Sequence, residues 1–328
     1  MRVSYRHESV RLTGRWDVRN EKFAETTTTG AYIEFAFEGR MAMAIFDTWA
    51  NPEPRLHLWV QLDGGAMVQT PIDSYLRIVA PTDGKHICRM IYKGGAEVHA
   101  RWYLPLEGKV SFVGFEAENC VAIGEDTRKT IEFVGDSITE GVLIDTDYFG
   151  SGRPKSPIDQ HNRVYQDDAC ATYAWLTAEA LDLRPIVMGY GAVGTTRSGQ
   201  GRVPAVPLSY PYNFENSPIS RPEPDYILIN HGANDRGHSA EEYVTKYGEL
   251  LDVIRSLNPN AKIISLSAFC GAHHEELGKF IAEYNKKNGT NIPFIDSTGW
   301  VPVEPLHPLR DGHKTIAEHL VPILKELL

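Results

Sequence analysis

Residues 131–141 read IEFVGDSITEG, an apolar run that stops at Gly135-Asp136-Ser137. A serine directly after a strand serves either as a helix cap or as a nucleophile, and these eleven residues alone do not separate the two. A cap needs only a nearby N–H. A nucleophile needs a base to take its proton and donors for the oxyanion that forms when it attacks a carbonyl. Candidates for both occur downstream. VEPLHPLRDGHKTIAEHL (303–320) holds His307, a neutral imidazole with a pKa near working pH, three residues beyond Glu304. Glu304, or Asp311 in its place, would hold the imidazole tautomer and stabilise its charge. His313 is the rival base. NHGAND (230–235) offers the side-chain amide of Asn234, and MGYGAVGTTR (188–197) offers Gly191 and Gly194, where a backbone N–H meets a ligand with no Cβ in the way. Each feature has an ordinary reading as a turn, a cap or a loop histidine. Their combination suits acyl transfer from an ester.

The elements that must position these residues follow from hydrophobic period. Buried-type runs at 131–135, 185–191, 225–232, 262–269 and 292–296 lack polar alternation and read as strands of a parallel sheet. Helical period covers TYAWLTAEALDL, SAEEYVTKYGELLDVIRSL, EELGKFIAEYNKK and GHKTIAEHLVPILKELL between and after them. In such sheets ligands bind outside the carboxyl ends of the strands, and Ser137, Gly194, Asn234 and His307 all follow a strand end. Before residue 125 the chain alternates with period two, broken by DG, GG and EG turns, which predicts antiparallel hairpins in a β-sandwich or jelly roll. Trp49, Trp59, Trp102 and Tyr103 are expected to fill its core. TTTT at 26–29 reads as an exposed loop or strand edge. GEDTRKT (124–130) links the two grammars, so domains are expected over 1–127 and 128–328. Two long segments, 144–168 and 197–224, are expected to form functional walls or subunit contacts.

Composition bounds the partners. The chain has 328 residues, 42% hydrophobic and 23% charged, which suits two folded domains and excludes a disordered chain. A formal charge of −10 gives no drive toward nucleic acid or anionic membranes, and a small neutral or cationic ligand fits better. Oligomeric state is left open. Cys88, Cys120, Cys170 and Cys270 are scattered and form no CxxC pair, so free buried thiols are expected. MRVSYRHESVRLTGRW has no apolar run of the signal-peptide kind, and no stretch approaches the roughly 20 apolar residues of a bilayer span, so the expected location is cytoplasmic. His273 and His274 beside Glu275-Glu276 read as a solvated helix start rather than a metal site, and GYGAVG, though spaced as GxGxxG, lacks the following helix and distal acidic residue of a nucleotide-binding loop. No cofactor and no metal are expected.

GDSI (135–138), Gly194 in GAVGTTR, Asn234 in GAND and His307 in EPLHP together resemble the SGNH, or GDSL-type, hydrolase superfamily over residues 130–328. The resemblance implies a flavodoxin-like three-layer α/β/α domain. It also implies Ser137 as nucleophile, His307 as base, and an oxyanion hole from Ser137 N–H, Gly194 N–H and the Asn234 amide, with Gly191 as fallback for Gly194. Glu304 stands where many members have aspartate in a DxxHP motif. With GRWDV and GAYIEFAFEG, the chain is also similar to carbohydrate esterase family 2, a jelly roll followed by such a hydrolase. That likeness implies removal of acetyl groups from sugars such as acetylated xylo-oligosaccharides, with Trp300 free either to stack on a sugar or to pack its own loop. Acyl transfer to another alcohol and a short-chain lipase are the alternative enzymes. A carbohydrate-binding protein without activity is the alternative class, against which stands the joint presence of Ser137, Gly194, Asn234 and His307.

Overall fold

The computed structural model describes residues 1–95, 97–145 and 163–328. Residues 146–162, most of the first long segment, lie outside the described residues. Nine strands precede the link: β1 (Arg2–Ser4), β2 (Val10–Thr13), β3 (Ala24–Thr26), β4 (Tyr32–Phe46), β5 (His57–Leu62), β6 (Val68–Pro71), β7 (Tyr75–Val79), β8 (Lys85–Gly94) and β9 (Val110–Cys120). They form one connected antiparallel set, ordered β1-β9-β4-β8-β5-β6, with β2 and β7 joining β4 and β3 joining β9. β4 organises it. Its first half lies between β2 and β8 and its second half between β7 and β9, with a register shift after Glu38. Gly39 at that shift has φ 110°, a conformation that strains any residue with a Cβ. The bend encloses Phe35, Phe37, Phe112 and Phe115, and the Phe35 and Phe115 rings stack at 4.4 Å.

The aromatic expectation divides. Trp102 is buried, but against the second half of the chain, and Trp59 is half-buried. Trp49 and Tyr103 are 70% and 41% exposed and fill no core. The threonine run is also corrected, because Thr26 to Thr29 are all buried. Thr27 Oγ1 lies 2.8 Å from the Tyr190 hydroxyl, and Thr29 Oγ1 donates to the Glu140 carbonyl at 2.9 Å. A hydroxyl can be buried at no net loss once it has such a partner.

Beyond the link, β10 (Thr130–Gly135), β11 (Arg184–Gly189), β14 (Tyr226–Asn230), β15 (Lys262–Leu266) and β16 (Phe294–Ile295) form a parallel sheet ordered β11-β10-β14-β15-β16. The helices are α1 (Ser137–Glu140), α2 (Arg163–Gln166), α3 (Tyr173–Ala180), α4 (Val206–Ser209), α5 (Ala240–Leu257), α6 (His274–Asn288) and α7 (Arg310–Leu327). A small hairpin, β12 (Tyr212–Phe214) and β13 (Ser217–Pro218), follows α4. Both faces of the sheet are covered. Val134, Ile227 and Ile229 pack with α5 and α6, while Phe133, Leu228 and Leu266 pack with α3 and α7. Burial on both faces is why these strands show no polar alternation. The second long segment is a packing element, since Val203, Val206, Tyr210 and Phe214 enter the same buried cluster as α5 and α6.

One residue of β10, an internal strand, breaks the apolar rule. Glu132 on β10 is fully buried and joins Arg15 at 2.9 Å and Arg221 at 2.6 Å, and it accepts from the Tyr210 hydroxyl at 2.7 Å. Burial alone would raise its carboxyl, but the two guanidiniums outweigh that and hold it at about 2, against an ordinary 4.5. Arg15 precedes β3, so this ion cluster ties the antiparallel set to the parallel sheet. A depressed carboxylate stabilises the fold above its unfolded pKa. That contribution is expected to vanish as pH falls from about 4.5 to about 2, an order of 3 kcal/mol at 1.36 kcal/mol per unit. Glu132→Gln is expected to lower the unfolding free energy at pH 7 by about 3 kcal/mol or more, because it strands two buried cations. Urea unfolding of wild type and variant across this pH range checks both; a variant within about 0.5 kcal/mol of wild type at pH 7 removes the cluster from the account.

Candidate active site

The edge at which β10, β11 and β14 end collects the residues singled out by type. The expected strands at 185–191 and 225–232 end early, at Gly189 and Asn230, which frees GAVG and HGAND as edge loops. α1 is a single turn that opens on Ser137 directly after β10. Asp136 is its N-cap, accepting the Ile138 N–H at 3.0 Å. The first N–H groups of a helix have no partner within it, so the Ser137 N–H is directed out of α1 at its positive end. His307, in the turn before α7, brings Nε2 to 2.8 Å from Ser137 Oγ. With Nε2 unprotonated, the hydroxyl donates to it, the contact a base must make before removing that proton.

The GAND loop meets the residue before the nucleophile. Asn234 Nδ2 donates to Asp136 Oδ2 at 3.2 Å and to the Val193 carbonyl at 3.0 Å, so its amide sits between the serine turn and the glycine loop. Burial drives the Asp136 carboxyl up to about 7, with the nearby charges of Asp235 and Glu140 adding to the rise and the Ile138 N–H opposing it. Asp235 binds the glycine loop itself, accepting from Thr195 N at 3.2 Å, Thr195 Oγ1 at 3.1 Å, Thr196 N at 2.8 Å and Thr196 Oγ1 at 2.6 Å. A Cβ on Gly194 would lie 2.6 Å from Asp235 Oδ1, so this close approach alone requires glycine. The Gly194 N–H donates to the Arg197 carbonyl at 3.0 Å. Service to an oxyanion requires exchanging that bond. Gly191 accepts the Gln200 N–H through its carbonyl, and a Cβ there would strike Glu97.

Other candidates are placed elsewhere. His313 is fully buried, stacks on Tyr173 at 6.1 Å, and accepts the Tyr173 N–H on Nδ1 at 3.1 Å. Burial, helped by the neighbouring His307 and Arg310, pushes it down to about 3. It is a neutral clamp between α7 and α3. Glu304 is exposed and, among the described residues, makes no hydrogen bond or ion pair to His307; Asp311 is exposed on α7. Trp300 lies flat on His319 of α7, rings 5.1 Å apart, and packs against the α3–α7 core, the loop-packing alternative. His273 is half-buried rather than solvated, stacked on Tyr243 at 5.0 Å with Nε2 3.2 Å from the Asp235 carbonyl.

Three contributors carry no sequence signal. Arg101 reaches from the loop between β8 and β9 to pair with Glu140 of α1 at 2.5 Å, both side chains buried. Trp59 Nε1 donates to Asp168 Oδ1 at 2.9 Å. Asp168 Oδ2 in turn accepts from Arg310, three residues after His307, at 3.2 Å. These contacts span long stretches of chain, and no local pattern announces such partners.

The carboxyl edge of the parallel sheet thus carries a buried one-turn helix opening on Ser137, the His307 imidazole on its hydroxyl and the Asn234 amide beside the turn. The chain belongs to the GDSL-like lipase/acylhydrolase family, which residues 133–315, more than half of the chain, match. It is similar to an acetylxylan esterase / glucomannan deacetylase of Cellvibrio japonicus (strain Ueda107), 25% identical over 216 residues that cover 61% of this chain and 58% of that protein. The match thus spans little more than half the length of that relative. Its fold is similar to a family two carbohydrate esterase from Cellvibrio japonicus, with a TM-score of 0.80 at 19% identity, covering 99% of this chain and 97% of that one. A family two carbohydrate esterase from Clostridium thermocellum, in complex with cellohexaose, gives a TM-score of 0.79 at 19% identity, covering 97% and 98%.

The position of Glu304 makes a specific prediction. Glu304→Gln is expected to keep turnover of p-nitrophenyl acetate within about tenfold of wild type, the scale of ~1.4 kcal/mol. A loss approaching ~10⁴-fold, the order seen when the acid of an intact triad is replaced, would make it the partner of His307 after all.

Proposed function

We propose that this protein is a serine esterase that removes acetyl groups from carbohydrate esters such as acetylated xylo-oligosaccharides. The observation that carries the reading is the 2.8 Å contact between Ser137 Oγ and His307 Nε2 at the carboxyl edge of the sheet. In this mechanism Ser137 Oγ attacks the acetyl carbonyl carbon while its proton passes to His307 Nε2. The tetrahedral oxyanion rests on the Ser137 N–H, joined by the Asn234 amide once it gives up its bond to Asp136 and by the Gly194 N–H once released from Arg197. The imidazolium protonates the departing sugar oxygen, leaving an acetylated Ser137. Water then attacks the acetyl carbon, giving one proton to His307, and acetic acid leaves as Ser137 recovers that proton, ionising to acetate in solution.

The carbohydrate part of the reading draws on the named activities of the relatives and on the negative charge of the chain, which suits a neutral substrate over an anionic one. We further read residues 1–127 as a β-sandwich of jelly-roll type and residues 128–328 as a flavodoxin-like three-layer α/β/α hydrolase domain. The strand order supports the second assignment, because it matches the doubly wound 2-1-3-4-5 pattern.

Acetate release from acetylated xylo-oligosaccharides is expected from wild type in the presence of chelator. Ser137→Ala and His307→Ala are each expected to lose at least about 10³-fold in kcat/KM. Full turnover by Ser137→Ala would end the mechanism. Hydrolysis of p-nitrophenyl acetate with no release from any acetylated saccharide would keep the esterase and reject the sugar.

A further inference from the structure

We propose that Arg101 is a positioning residue for this reaction, holding the nucleophile's helix in register from outside the parallel sheet, with Thr29 as its second support. The inference rests on the esterase reading and goes beyond it, since neither residue belongs to the serine, histidine and oxyanion set.

α1 is a single turn of four residues, too short to hold a helical geometry by its own hydrogen bonds. Its position must therefore come from its surroundings. One side is backbone: a Cβ on Gly189 would lie 2.6 Å from the Glu140 nitrogen, so the end of β11 presses directly on the turn. Thr139 Oγ1 meets the Tyr173 hydroxyl of α3 at 2.8 Å. Two further supports act on Glu140, the last residue of the turn. Its carboxylate takes Arg101 Nη1 at 2.5 Å and Nη2 at 3.4 Å, and its carbonyl takes Thr29 Oγ1 at 2.9 Å. Arg101 is itself fixed. Its backbone N–H donates to the Gly201 carbonyl at 3.0 Å, and its guanidinium lies 4.9 Å over the Tyr190 ring, whose hydroxyl meets Thr27. Arg101, Thr29 and Thr27 all come from the antiparallel set or its loops. That set thus grips the end of the turn opposite Ser137, and any rotation of Glu140 is transmitted along one helical turn to the Oγ–Nε2 contact.

A guanidinium and carboxylate this deeply buried fix an angle more than they add stability, because their desolvation cost is repaid only in one geometry. The test separates position from stability. Arg101→Met is expected to lower kcat on p-nitrophenyl acetate by about 100-fold, the scale of a ~1 Å misplacement, with KM within about threefold. The double variant Arg101→Met/Glu140→Met leaves no orphan charge. It is expected to melt at or above the wild-type temperature while kcat stays at least about tenfold down. Arg101→Lys, which keeps one charged contact, is expected to recover at least about tenfold over Arg101→Met. The rate at which an alkyl phosphonate ester labels Ser137 is expected to fall in parallel with kcat. A double variant that regains kcat along with its melting temperature overturns the proposal, as does a raised KM at unchanged kcat. Where Arg101→Met does not fold, the double variant decides the same question, and wild-type turnover in it rejects the proposal. Wild type that neither hydrolyses the ester nor takes the phosphonate refutes the esterase reading itself, an outcome distinct from labelling that Arg101 does not affect.

Discussion

A carboxylate in the middle of an internal strand of the parallel sheet governs this structure. Glu132 lies five residues before Ser137, on a strand with neighbours on both sides, and it cannot be solvated. Its charge is tolerated only because Arg15 arrives from the antiparallel set and Arg221 from the second long segment. Meeting that requirement fixes two otherwise independent pieces of chain against β10. Thr29 and the loop between β8 and β9 then reach Glu140 in the turn that follows the strand. The electrostatics of a single position thus constrain which surfaces face one another.

The same logic recurs at smaller scale around the site. Asp136, Glu140, Asp167 and Asp235 are all buried within the same edge of the fold, and burial raises the first three above their ordinary values. Each is held by directed donors. Ile138 N–H and the Asn234 amide serve Asp136, Arg101 serves Glu140, Arg163 and the Leu143 N–H serve Asp167, and Thr195 and Thr196 serve Asp235. These acids set the backbone of three edge loops. The serine, asparagine and glycine therefore lie in a frame of charge-assisted hydrogen bonds, the kind of preorganisation on which electrostatic catalysis depends.

How much of this is legible in the sequence depends on the range of the interaction. The strands of the parallel sheet and its four long helices are readable, because burial on two faces and helical period are written in consecutive residues. Ser137, His307 and Asn234 are readable as types that follow strand ends, and the sheet brings them to one edge. Glu304 stands out by its three-residue spacing to His307, yet spacing in a proline-rich turn does not say which way a side chain points, and this one faces solvent. The buried TTTT and the exposed Trp49 mislead for a shared reason. Composition describes what a residue prefers, while burial is decided by a partner surface, and the surface that covers Thr27 and Thr29 is formed by Tyr190 and Glu140 far downstream. Arg101, Trp59 and Arg15 are silent for the same reason.

The Trp59–Asp168–Arg310 relay bears on how such chains can be inherited. One strand of the antiparallel set, the turn before α3 and the first residue of α7 meet at a single carboxylate, so neither half of the chain has a closed surface of its own along that line. A crossover at the link near residue 125 would keep the Asp168–Arg310 pair but remove its indole donor, and it would part Glu132 from Arg15 and Glu140 from Arg101, so most such recombinants would be lost before selection could act on their chemistry. The two halves are therefore expected to travel through lineages as one unit, with change confined to paired substitutions on either side of the seam.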